Sequence, residues 1–525
     1  MQTSTRLVAI LGLCLLGCDD NSIGEPTIGA TQAPVALDAQ LAFVDSEHQR
    51  AHLFDVSAMR PSATTLDVKL PAGASSQERR NEHDEVLVLC AGRRDGLDAD
   101  AEPAALVAID NAGKARTYEF GTTPFNALQQ SQDGRYAVLF RNGMDDSRTL
   151  NNPNELVVVD LDKGPKETGA VTRKTPDGLG HTLTRVIVSP QMRIVNEDRR
   201  LLVILSAAEV TLFDLNHLDR RAIIVQLDET RTINPAQVEF SKQNASLYVR
   251  AQNSDNIFMF RFEARGDRVE LSNDFRPTIN VLGGGNGPRD MALFGDGSDE
   301  RLLVVAAASA QALVIDPNTS KTYAVKLSVP AERIQLFKGA RLPVDAQVRD
   351  RALLYAGDKR ASVTFLDLHN VDADPEDRIE VLTLSAEITN VIPLKGNDDR
   401  VQEVVFQHLK GVTILNLEER TLTPISSNTS LTNAIFDSEH KRLWVGTAGT
   451  SWVGTLDLQS GRTNEVLLDA PLRSIIPMIA VNRLVVLHDS AVGYATLFDL
   501  DRPTRESAIS VRGYFVSGLL DRGAP

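Results

Sequence analysis

The chain has 525 residues, 42% of them apolar and 24% charged, with a formal net charge of −15. These proportions belong to a folded protein with a sizeable core rather than to a disordered chain. An acidic surface of this size excludes nucleic acid and anionic lipid as partners of the body as a whole.

At the N-terminus Arg6 precedes an uncharged run from Leu7 to Gly17. A run that short cannot span a bilayer as a helix, so it reads as the hydrophobic region of a signal peptide. It ends in Leu15-Leu16-Gly17-Cys18, which resembles the bacterial lipobox, although Leu16 is bulkier than the residue usual there. The resemblance implies a signal peptide over 1–17 and a lipid-modified Cys18 whose acyl chains anchor the protein to a membrane of the cell envelope. Asp19 resembles the inner-membrane retention signal of enteric bacteria. An ordinary secretory signal with an incidental cysteine is the alternative.

Residues 18–37 are rich in Gly, Pro, Thr and Asp and read as a flexible tether. A coil of that length has an end-to-end distance of roughly 20 to 25 Å. Residues 38–525 form the body. Cys14 leaves with the signal, so Cys90, inside the run EVLVLC, is the one cysteine of the body, and no internal disulfide is possible there. It reads as a small buried apolar residue.

Within the body the pentapeptide TLFDL occurs at 211–215 and again at 496–500. Aligning on its aspartate reveals ten apolar runs, ending at Asp55, Asp110, Asp160, Asp214, Arg261, Asp316, Asp367, Asn416, Asp457 and Asp499, spaced 41 to 55 residues apart. A second short apolar run precedes each, a third lies upstream in most units, and a fourth follows the aspartate. The runs are brief and β-branched, with turn residues between them, and so predict strands. The Asp or Asn falls where the third strand turns into the fourth, where its side chain can bond the turn backbone.

Four strands per unit at this period are the signature of a β-propeller blade. The fold class is therefore all-β, a single large propeller of about ten blades. The first unit begins at LAFV with no inner strand visible before it, and the chain ends in RGYFVSGLLDRGAP. The prediction is that residues 514–520 supply the missing inner strand and close the ring. SQDGRYAV at 131–138, LDLQSGRTNEVLL at 456–468 and GGGNGPRDMALFGDG at 283–297 resemble the hairpins and blade starts of the bacterial YVTN or quinoprotein-like repeats. The resemblance covers 41–520 at the level of fold. The Gly-His and Trp-Asp pairs of WD40 repeats do not recur from unit to unit, and the tryptophan signature of quinone-binding blades is absent from the sequence.

Positional comparison of the blades singles out the residue at the start of each inner strand: Asn126, Arg185, Gln237, Arg289, Arg333, Asn390, Asn433 and Arg473, with Arg512 before the closing strand. In a propeller these starts converge on one mouth of the channel. Repeated Arg, Asn and Gln there make a ring of donors suited to carboxylate or phosphate. The competing reading is that they bond backbone carbonyls of the neighbouring blade.

Asp95, Asp98, Asp100 and Glu102 do not match a calcium loop and read as a solvated acidic loop. His48 and His52 lie on a hairpin, which argues against zinc, and GGGNG lacks the Lys-Ser/Thr of a phosphate loop. No cofactor is expected. The reading is a non-catalytic binding or scaffolding propeller of the envelope, with an anionic ligand or a protein as partner. Two alternatives are a lactonase-like propeller hydrolase and a component of outer-membrane protein assembly.

Overall fold

The computed structural model describes residues 33–515, apart from 59–64, 94–101, 122–124, 143–153, 176–182, 231, 242–243, 267–271, 296, 342–347, 357–360, 370–373, 375–377, 396–400, 428–429, 432–433 and 491. Ten four-stranded antiparallel sheets follow one another along the described chain. Their inner strands are Val35–Ala36, Ala74–Arg79, Ala127–Gln130, Leu183–Val188, Pro235–Ser241, Pro288–Phe294, Arg333–Arg341, Asn390–Lys395, Ile435–Asp437 and Leu472–Met478. The fourth blade carries an extra hairpin, Met192–Ile194 with Glu197–Arg199, between its first and second strands. The expected all-β propeller of ten blades is the architecture found.

Burial falls where the alternation of side chains puts it. In blade four the second and third strands, Leu201–Ser206 and Glu209–Asp214, are buried throughout. Leu201, Val203 and Leu205 pack against Leu247 and Val249 of blade five, while Leu202 and Ile204 pack against Val138 and Leu156 of blade three. One strand thus serves two interfaces because its side chains alternate between faces. The same arrangement recurs around the ring as ten apolar clusters, one per interface, and the last joins blade ten to blade one. Cys90 belongs to the cluster between blades one and two, and burial, with Glu102 nearby, pushes its thiol up to about 12.

The aspartate that marks each unit does what its position predicts. Backbone N–H groups two residues on donate to the side chains of Asp55, Asp110, Asp160, Asp214, Asp316, Asp367, Asn416, Asp457 and Asp499, over 2.8 to 3.3 Å. Each is a side-chain-capped turn. The exception explains itself: Arg261 cannot accept, no turn forms there, and the hairpin runs on as Asn256–Ala264 paired with Phe275–Gly283. Arg261 reaches instead to Pro317 O and Asn318 Oδ1 of the next blade.

Closure of the ring differs from the expectation in two respects. The first blade has its own inner strand: Val35 pairs with Ala42 and Ala36 with Leu41. The propeller therefore begins inside the segment read as tether, before residue 38. Pro34 and the shortness of the pairing disguised the strand, because only two residues follow the proline before the chain turns at Leu37, whose N–H donates to Gln40 O at 2.8 Å. The C-terminal residues described, meanwhile, form a turn rather than a strand. Gly513 N–H donates to Gly493 O at 2.7 Å and Phe515 N–H to Val492 O at 3.2 Å. This turn drives two rings into the seam, Tyr514 stacked on Phe54 at 4.7 Å and Phe515 edge-on to Phe43 at 5.0 Å. Gly493 makes room, since a Cβ there would stand 2.9 Å from both rings. Residues 516–520 of the expected closing strand lie outside the described residues.

Tyr514→Ala is expected to destabilise the fold by about 3 to 5 kcal/mol, the range for emptying a buried aromatic site. Tyr514→Phe should cost far less. Chemical denaturation of the two variants beside the parent protein checks this.

Candidate functional site: the channel mouth of blades four to seven

Inner strands begin on the face where second strands end, so the candidate donors converge there only as far as the backbone lets them. In blades two, four, five, six and ten the first pairs slip by one residue, between Ala74 and Ser76, Leu183 and Arg185, Pro235 and Gln237, Pro288 and Asp290, and Leu472 and Ser474. A bulge places two residues against one and re-aims a side chain. Arg289 and Arg473 sit on the bulge, whereas Arg185 and Gln237 are the residues after it. In blade six the residue after the bulge is Asp290. The candidates therefore do not share one register, and an acid stands among them.

Around that acid the structure gathers a cluster from four consecutive blades. Asp290 accepts from Gln237 Nε2 of blade five at 2.8 Å, from its own neighbour Met291 N–H at 2.9 Å, and from Ile334 N–H of blade seven at 2.9 Å. Gln237 also donates to Met291 O at 2.8 Å and accepts from Arg250 Nε at 3.0 Å. Arg250, on the second strand of blade five, donates to Pro288 O at 3.2 Å. Arg185 of blade four donates to Ala236 O of blade five at 2.9 Å.

The electrostatics follow from this crowding. Burial lowers the pKa of the Arg250 guanidinium, and the positive charges of Arg289, Arg333 and Arg185 lower it further against the pull of Asp290. Burial also pushes the Glu239 carboxyl up to about 7, with Asp290 adding to the rise and the Gln237 amide and Arg185 opposing it. Arg289 and Arg333 are exposed and make no hydrogen bond or ion pair among the described residues. Four guanidiniums, of Arg185, Arg250, Arg289 and Arg333, gather around the carboxyls of Asp290 and Glu239. The cluster is a positive focus on an acidic protein.

The remaining candidates lie apart from it. Asn126 is bonded within its own blade, donating to Asn142 O at 3.1 Å and accepting from Asn142 N–H at 2.8 Å. Asn390 accepts from Val391 N–H at 2.9 Å. Arg473 lies near Tyr514 at the seam. Arg512 is on the outer strand Ile509–Arg512 of blade ten, its guanidinium 4.5 Å from the Tyr494 ring centre, and not at an inner-strand start. Cys18, Asp19 and Asn433 are outside the described residues, as are Asp95, Asp98 and Asp100. Glu102 accepts from Ala72 N–H at 2.9 Å.

Sequence comparison missed Arg250, Asp290 and Glu239. Arg250 was hidden on a second strand, and Asp290 by the one-residue slip beside Arg289. Four histidines elsewhere, His48, His52, His408 and His488, have structural partners. His48 and His52 bond different carboxylates, Asp45 and Asp67, each at 2.7 Å. His408 and His488 occupy the same place in blades eight and ten. Each is fixed by a linker carbonyl, Glu387 O at 2.8 Å or Pro471 O at 3.1 Å, which requires Nδ1–H as donor and leaves Nε2 to accept from Thr413 or Thr496 at 2.8 Å.

No protein-family profile matches this chain, and no curated protein matches its sequence. Among solved structures it is similar to the dihydro-heme d1 dehydrogenase NirN, at 9% identity and a TM-score of 0.41, over 78% of this chain and 71% of that one. It is similar to a eukaryotic initiation factor at 12% identity and 0.45, over 78% and 90%. A protein described as a 6-phosphogluconolactonase from Bacteroides fragilis is similar at 12% and 0.33, over 66% and 96%. Likeness this low transfers no residue or activity.

If Glu239 titrates among these guanidiniums, protonating it removes a negative charge, and anion affinity should rise as pH falls through about 7. Sulfate, which keeps its charge over this range, is the probe. Its affinity is expected to increase severalfold from pH 8 to pH 6 in the parent protein and to stay flat in Glu239→Gln, as measured by calorimetric titration. The sign for stability runs parallel: a carboxyl raised in the folded state stabilises below its unfolded value near 4.5, and that contribution is lost as pH rises through about 7.

Proposed function

We propose that this chain is a non-catalytic binding propeller of the cell envelope, whose mouth between blades four and seven receives an anionic group of a ligand or of a protein partner. The observation that carries the reading is the pair Arg289 and Arg333, exposed and unpartnered among the described residues beside the half-buried Arg250. Arg185 and Gln237, by contrast, already bond the backbone of a neighbouring blade. They hold the mouth in shape while the other two remain available for bidentate recognition of carboxylate or phosphate.

The envelope setting rests on the signal-like N-terminus and its Cys18. A lipid on Cys18, reaching roughly 20 to 25 Å through a flexible tether, would hold the propeller near the membrane surface. Arg289→Ala combined with Arg333→Ala is expected to leave the unfolding transition in place and to weaken sulfate binding tenfold or more. Unchanged sulfate affinity in a folded double variant removes the proposal.

One observation favours a second reading. A carboxyl near 7 beside guanidiniums has the makings of a general base with charge stabilisation. Under that reading the protein turns over lactones or esters, and Glu239→Gln abolishes the activity while sulfate binding persists. A screen of the parent protein that yields no turnover decides for binding alone.

A further inference from the structure

A second cleft lies on the opposite face, between the outer half of blade three and the turn that follows the third strand of blade four. Its volume is 520 Å³, and its lining includes Tyr136, Thr172, Lys174, Leu215 and Leu218. That volume is within the range of small-molecule sites, about 300 to 1,000 Å³. Tyr136 and Leu215 are buried and Leu218 partly so, and they give the cleft an apolar floor.

The charged groups around the floor are accounted for one by one. Arg135 is held by Asp160 at 3.2 Å and lies 4.9 Å from the Tyr136 ring centre. Lys163 donates to Thr168 O at 3.3 Å and stands 4.0 Å from Asp160. The Asn216 amide is taken up by Arg200 N–H and Asp198 O. Lys174 differs. It makes no hydrogen bond or ion pair among the described residues, and Asp219, exposed on the far wall, is the charge that steadies it. Burial lowers its pKa, as expected of an ammonium shielded from water without a bonded counter-ion. Thr172 and Lys174 are two apart on one strand, paired with Val158 and Leu156, so both project to the face that meets blade four. Arg173, between them, turns away to Glu155 at 3.4 Å.

We propose that this cleft binds a small monocarboxylate with an apolar body, its carboxylate on the Lys174 ammonium and the Thr172 hydroxyl and its body on Tyr136, Leu215 and Leu218. One cation without a bonded partner among the described residues fits one negative charge, and the apolar floor favours an aromatic or branched acid over a bare inorganic anion. The site is separate from the mouth and stands whether or not the mouth binds anions.

Benzoate and its neutral isostere benzamide, titrated calorimetrically into the full chain carrying Arg289→Ala and Arg333→Ala so that the mouth does not contribute, test the assignment. Benzoate is expected to bind saturably with one equivalent and benzamide roughly tenfold or more weakly, the value of a hydrogen-bonded charge. Lys174→Met should lose benzoate by a similar factor and Thr172→Val by severalfold. Arg173→Met in the same background should bind it undiminished. Equal affinity for the two probes, undiminished benzoate binding by folded Lys174→Met or Thr172→Val, or no saturation at millimolar benzoate would each overturn the proposal.

Discussion

A sheet that is greasy on both faces cannot stand alone, and the rest of this structure follows from that constraint. Each blade must have two neighbours, so a row of blades with free ends would leave two apolar faces in water. A closed circle has no ends. The tenth cluster, which joins Leu41, Phe43 and Phe54 of blade one to Val485, Leu487 and Leu497 of blade ten, is as dry as the other nine. What distinguishes it is its means. Many rings are closed by borrowing a strand, whereas here a two-residue inner strand and a pair of aromatic side chains from the far terminus share the task.

The same constraint decides where polar chemistry can occur. Interfaces between blades are apolar through their depth, so hydrogen-bonding side chains concentrate at the ends of strands, where linkers cross from blade to blade and leave carbonyls to be met. Bulges at the inner-strand starts add a degree of freedom, letting one blade present its donor outward and the next turn its donor to a neighbour's backbone. Gln237 and Asp290 tie blades five, six and seven together through such contacts. A mouth built in this way is stiff, because the groups shaping it are also those holding the ring.

How much of this was legible depended on the range of the signal. Local signals read well: the aspartates at 55, 110, 160, 214, 316, 367, 457 and 499 and Asn416 all cap the turns their spacing indicated, and the exception at Arg261 extends its hairpin. A tetrapeptide illustrates the limit. Asp45-Ser-Glu-His48 and Asp437-Ser-Glu-His440 fold into the same turn, each histidine bonded to its aspartate, at 2.7 and 2.8 Å. Yet the first joins the second and third strands of its blade and the second joins the first and second strands of its own. Such a motif encodes a turn and not its place in the blade. Slips of one residue were equally invisible. They moved Asp290 into the position where the arginines had been aligned, and only the pairing of strands could reveal them.

Cations in this protein divide by how fully they are matched, and that division carries more about function than their positions do. Arg199 is wholly buried and bonded to Asp214 at 2.6 Å, Glu197 at 2.5 Å and Asp274 at 2.7 Å, the last from blade five. Burial alone would lower its pKa, but Asp274 and Asp214 raise it. Its charge is spent inside the fold, clamping the extra hairpin of blade four to its neighbour, and removing one partner of such a network is strongly destabilising. Arg289, Arg333 and Lys174 lack any such match. On a chain with fifteen more acidic than basic side chains, carboxylates are abundant, yet these three cations are bonded to none among the described residues. Two of them stand at the mouth and one in the cleft on the far side, each beside groups that already satisfy the backbone. Matching within the fold thus separates the residues that build the ring from those that remain open to something outside it.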